Sequence, residues 1–217
     1  MMVIMFEDRS LLDGCNVALN ESDVVGLRVN WPARTVRLLL HVLAMPEQGP
    51  IDPDTRRALV FTGVSLMRVL LRRDRTRTAS RDYGHPIELA DADAADAFLA
   101  SVSRSDPMYG WRFLDDPELT RDWPATASLM LAGTGPATHS MYWFCECARE
   151  EPGGDTEYCI EGDIHFQRLT VERADGSPVP LASFAADGRR WWHGLHSGDP
   201  RVSTEAQQSR PPSPAWT

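Results

Sequence analysis

The sequence predicts a mainly β fold: a single antiparallel β-sandwich or partly open barrel with one amphipathic helix, about 91–103, packed on it. Three observations carry this. Short runs rich in β-branched and aromatic residues recur between Gly- and Pro-containing turns. Two long apolar-rich runs flank EEPGGDT at 150–156, a hairpin signal. Only the segment near 91–103 combines a helical apolar period with an acidic start.

In chain order, MMVIMF at 1–6 reads as a first strand. The stretch FEDRSLLDGC mixes acid, glycine and short polar residues. Residues 24–31 read as a strand with Val25, Leu27 and Val29 on one face, ended by Pro32. Residues 35–43 are apolar on both faces, as in a strand covered on both sides. The segment 46–55, with three prolines and one glycine, is a loop. Residues 58–72 read as two strands joined through a bulge near Gly63, with a helix over the LMRVLL part as the competing reading.

Asp91 suits an N-cap, and Ala95, Phe98, Leu99 and Val102 form an i, i+3, i+4, i+7 stripe. The remainder reads as a meander, with strands at 109–114, 127–132, 139–148 and 157–171. Residues 181–196 are ambiguous and could hold a short final strand; Gly194 and the Asp187–Gly188 pair argue against a helix. The domain is expected to span 1–197. A flexible Pro- and Ser-rich tail is expected over 198–217, and its removal should leave thermal stability nearly unchanged.

All 22 basic residues are arginines, against 31 acids, for a net charge of −9. No lysine is available for a Schiff base or a phosphate-binding P-loop. Residues 1–90 hold 12 arginines and 11 acids, and residues 91–217 hold 10 and 20. The acidic second half disfavours nucleic acid as a partner and favours a protein with a basic surface. Arg72, Arg73, Arg75, Arg77 and Arg81 form a local basic cluster, read as a solvated strand end and loop. No apolar run approaches the roughly 18 residues of a membrane span, so no membrane partner is expected. The start lacks the basic region of a secretory signal, so the chain is expected to be cytoplasmic.

The sharpest chemical feature is the 139–171 hairpin. Alternation puts Cys145 and Cys147 on one face with Trp143, and pairing of Cys147 or Ala148 with Cys159 could bring three thiols together near His139 or His165. Buried, inert thiols are the reading preferred over a metal or redox site. Glu161, Asp163 and His165 share one strand face, an acid–imidazole stripe read as the wet side of the sheet. His41 lies in the sheet region without a partner that the sequence fixes. RRWWHGLH at 189–196 sets two tryptophans beside His193 and His196, read as packing over the sheet.

No catalytic, cofactor-binding or metal-ligating residue is assigned, and no cofactor is expected. The preferred function is a non-catalytic acidic protein-binding domain, of inhibitor or immunity type, for a basic partner. The alternative is a small cytoplasmic enzyme or metal-binding protein using the Cys/His/Asp group of the hairpin. Convergence of Cys147, Cys159 and His165 in an open pocket would favour the alternative.

Overall fold

The computed structural model describes residues 9–74, 83–105, 120, 123–202 and 216. These residues form two antiparallel sheets, not closed into a barrel, with three helices. The predicted strands at 1–6 and 109–114 lie outside the described residues.

The first helix, α1 (Arg9–Leu19), overlaps the stretch 7–15, to which the sequence reading gave no element. It leads into β1 (Asp23–Asn30), β2 (Thr35–His41) and β3 (Arg56–Thr62). The chain then enters β4 (Leu66–Asp74), β5 (Tyr83–Pro86), α2 (Ala92–Ala100) and β6 (Arg104–Ser105). It continues through β7 (Leu129–Ala132), β8 (His139–Glu151), β9 (Gly154–Phe166), β10 (Arg168–Arg173), β11 (Pro178–Val179) and α3 (Leu181–Ser197). The first sheet has the order β1-β2-β3-β10-β11; the second has β5-β4-β9-β8-β6, with β7 also on β4.

Two strand pairs turn the corner between the sheets side by side. β3 and β10 pair in the first sheet, and their continuations β4 and β9 pair in the second. Both breaks fall at one place, where Gln167 N–H donates to the Thr62 carbonyl at 3.1 Å. The expected division near Gly63 is therefore a crossover between sheets rather than a bulge within one. The run 157–171 likewise divides at Gln167. Strands that switch sheets at such corners are a standard way to build a sandwich.

The core lies between the sheets. Val36, Leu38, Leu59 and Phe61 face Met67, Val69, Leu71, Ile160, Ile164 and Phe166, and the Phe61 and Phe166 rings meet edge to face at 4.9 Å. A register shift between Val24 and Gly26 puts Val24 and Leu27 in this core and Val25 on the opposite side. This corrects the expected Val25–Leu27–Val29 face, because one bulge residue inverts the alternation.

The α2 helix forms as predicted. Asp91 caps it by accepting from Ala94 N–H at 2.9 Å, and Ala95, Phe98 and Leu99 enter the core. Phe98 meets Tyr158 of β9 edge to face at 5.3 Å.

Residues 181–196 hold no strand; they form a helix. Gly188 permits it, because a Cβ there would fall 2.4 Å from Ala18 Cα and Cβ. The α1 and α3 backbones thus cross at close range. Burial of Phe184, Ala185 and Trp191 outweighs the low helix propensity of two glycines, each costing about 1 kcal/mol. Residues after α3 stay attached: Arg201 donates to the Pro46 carbonyl at 3.2 Å, and Val202 packs near Leu43 and Met45. The expected tail 198–217 is therefore anchored through 202 and again at Trp216, while 203–215 and 217 lie outside the described residues. No described helix is long and apolar enough to cross a membrane.

Candidate functional site

The β4, β9 and β8 strands alternate one side toward the core and one side away from it. On the outer side the register aligns Arg68 with Asp163 and Tyr142, Leu70 with Glu161 and Phe144, and Arg72 with Cys159 and Glu146. Each row joins β4 to β8 through β9, so a run of polar side chains crosses three strands.

These groups pair closely. Asp163 Oδ2 accepts from Arg68 Nη2 at 2.5 Å and Nε at 3.0 Å, while its Oδ1 lies 3.2 Å from His165 Nε2. Arg72 Nη2 reaches Glu161 Oε2 at 3.3 Å, and Tyr142 O–H donates to Glu161 Oε1 at 3.3 Å. Tyr83 O–H donates to Glu146 Oε1 at 3.0 Å, and the Arg72 guanidinium stacks 4.4 Å from the Tyr83 ring centroid. Arg68 stands 5.0 Å from the Trp123 ring and also donates to Thr120 Oγ1. Arginine suits these positions because its planar fork both pairs with carboxylates and stacks on rings.

Glu161 is 6 % exposed and Asp163 5 %, so the acidic stripe is not the wet side of the sheet. The alternation was read correctly, but the carboxylates are buried against Arg68, Arg72, Tyr142 and His165. The imidazole stands at the rim, with 38 % of the His165 side chain exposed, and the Arg68 side chain is 27 % exposed. Burial raises the Asp163 carboxyl, but the hydrogen bonds from His165 and Arg68 outweigh it, and the group sits below the usual carboxylate range. Burial, reinforced by Glu161, raises the Tyr142 phenol and the Cys159 thiol, so both stay protonated at neutral pH.

The cysteines do not converge. Cys145 and Cys147 face the core, whereas Cys159 lies on the outer side. Cys159 pairs with Glu146, and Cys147 with Tyr158, one residue away from the expected register. The two-residue turn at Pro152–Gly153 sets that register, where the sequence reading placed it at Gly153–Gly154. The fourth cysteine, Cys15, is buried in α1, which pushes its thiol up to about 12 against the opposing charge of Arg189. Among the described residues no group of three or more His, Cys, Asp or Glu side chains is placed to hold a metal ion.

Other predicted residues fall elsewhere. His139 rings against Phe166 at 5.8 Å, away from any thiol. His41 is buried and bonded through Nδ1 to Thr55 Oγ1 at 2.9 Å. Trp191 is buried beside Leu43 and Met45, and Trp192 Nε1–H donates to the Val17 carbonyl; His193 is exposed, and His196 Nδ1 lies 2.6 Å from the Trp192 carbonyl. The segment packs, but on α1 and the residues after β2 rather than over the sheet. The basic cluster divides: Arg72 turns into the polar network while Arg73 points out to Thr156, and Arg75, Arg77 and Arg81 lie outside the described residues.

Sequence reasoning missed Arg68, Tyr83, Trp123, Tyr142 and Glu146. The available signal was Arg68 and Arg72 alternating with Leu66 and Leu70 at period two on one side of the strand. Comparison with protein-family models, curated proteins and solved structures finds no match.

Proposed function

We propose that the chain is a binding domain for a small polar molecule, seated on the outer face of the second sheet, with His165 as its acid–base group. The observation that carries this is the burial of Glu161 and Asp163 with two arginines on a sheet face turned away from the core. Apolar side chains there would stabilise the fold at least as well. Groups held in water-poor surroundings with defined charge partners are found preferentially at functional sites.

Asp163 fixes the imidazole through Nε2. Arg68 holds the carboxylate in place from its other oxygen. Trp123 and Tyr83, stacked on the guanidiniums, provide flat apolar surface for a ligand carrying a ring. Four cysteines without a disulfide suit a reducing compartment, and a cytoplasmic location is part of the proposal.

Native mass spectrometry of the protein after incubation with a small-molecule extract of the source cells tests this. The expected result is a single added mass, absent from the Arg68→Met/Asp163→Leu variant. Equal retention by both proteins would refute the placement of the site, and no added mass on either would refute the binding itself.

Binding to a basic protein is a second reading, favoured by one specific feature. The far end of the β8–β9 hairpin exposes Glu150 and Asp155, beside half-buried Glu151 and Glu157. Much of the remaining acid is paired internally: Asp54 with Arg56, Glu172 with Arg37, Asp187 with Arg190 and Asp199 with Arg201. Partner capture that survives Glu150→Gln/Asp155→Asn would remove this reading.

A further inference from the structure

The outer face of the first sheet carries a second constellation, remote in sequence from the polar network. Leu39, Ala58 and Val60 are buried there, with Val25 beside them, and Trp216 packs on the group. The Trp216 indole N–H donates to Asp96 Oδ1 at 3.3 Å, and the same oxygen accepts the Leu27 N–H, just past the β1 bulge, at 2.7 Å. The Arg28 guanidinium stands 4.6 Å from the indole and Arg37 stands 5.9 Å away. Gly26 forms the floor: a Cβ at that position would lie 2.8 Å from the indole nitrogen and 3.1 Å from Asp96 Oδ1.

Each part of an indole is therefore matched. The ring lies on aliphatic side chains and under cations, where its π face is attractive. Its N–H meets a carboxylate that α2 and the β1 bulge hold in place. The absence of a side chain at Gly26 admits its edge. We propose that this face is a binding site for a tryptophan carried on a peptide segment, and that Trp216 fills it in the free chain. A Trp-bearing peptide of a partner would compete with Trp216 for the same contacts.

Calorimetric titration of the full-length chain with the heptapeptide PPSPAWT tests the site. Trp216→Ala is expected to bind one peptide, at least tenfold more tightly than the wild type does. A peptide with alanine in place of tryptophan is expected to give no binding. Adding Gly26→Ala to Trp216→Ala, in a chain still folded by circular dichroism, is expected to abolish binding. Equal affinity of wild type and Trp216→Ala would overturn the proposal, as would a folded Trp216→Ala that binds no peptide. Should Trp216→Ala fail to fold, Trp216→Phe keeps the ring and loses the donor. It is expected to take up the peptide at least threefold more tightly than wild type, and no gain would overturn the proposal.

Discussion

Replacing Asp163 with alanine removes the acceptor shared by Arg68 and His165. Asp163 is 5 % exposed, and its contact with Arg68 Nη2 is 2.5 Å. Truncating one member of a fully buried pair costs about 3–5 kcal/mol, because the other charge is left uncompensated. Arg68 keeps 27 % of its side chain exposed and retains Thr120 and Trp123, so it is partly solvated when stranded. The expected loss for Asp163→Ala is therefore lower, about 2–3 kcal/mol. Arg68→Met/Asp163→Leu removes both charges and fills the space with apolar atoms. It is expected to be neutral or to stabilise by about 1–4 kcal/mol. Urea unfolding monitored by circular dichroism gives both numbers, provided the slope is unchanged between variants. If the double variant loses as much as Asp163→Ala or more, the network is an element of stability and the functional reading of its burial fails.

Three further outcomes are expected. Phe98→Ala should cost about 3–5 kcal/mol in the same assay, because the ring is buried against Tyr158; a loss below about 1 kcal/mol would contradict its anchoring role. Burial, and then the charge of Arg56, lowers the His41 pKa below its ordinary 6.5. The neutral form is favoured in the fold, so its contribution is present above pH 6.5 and is lost as pH falls below it; His41→Phe should flatten stability between pH 7 and about 5. Trp216→Ala should lower Tm by about 2–4 °C, the shift of roughly 1 kcal/mol in a chain of this size, and an unchanged Tm would mean that the indole contributes nothing on the first sheet.

The fold was legible where a period or a cap is local. Alternation along 35–43 and 139–148, and the Asp91 cap with its Ala95–Phe98–Leu99 stripe, each arise from neighbours in sequence. What escaped depends on residues far apart. The α3 helix contains two glycines, and Gly188 makes sense only once Ala18 lies against it. The β1 faces invert at a bulge, and the Leu27 N–H just past it is held by Asp96, 69 positions away. The crossover at Gly63 is fixed by Gln167, and the sequence gives no sign that the two meet.

The candidate site was half legible. Glu161, Asp163 and His165 were placed on one face correctly, but whether that face was wet depended on what covers it. Their arginine partners sit on β4, about 90 residues earlier, and only the strand register joins them. The cysteine group failed for a local reason: one position of register moved Cys159 opposite Glu146 and left it on the other side of the sheet from Cys145 and Cys147.

The most direct measurement is the imidazole NMR signal of His165, assigned by its loss in His165→Gln, during titration with a panel of small carboxylates, amines and ring-bearing polyols. If the outer face of the second sheet is a binding site, one class shifts this signal saturably while the His193 signal stays fixed, and Asp163→Asn weakens that binding at least tenfold. A panel that leaves the His165 signal unmoved, or moves it and His193 alike, would contradict a site at this face.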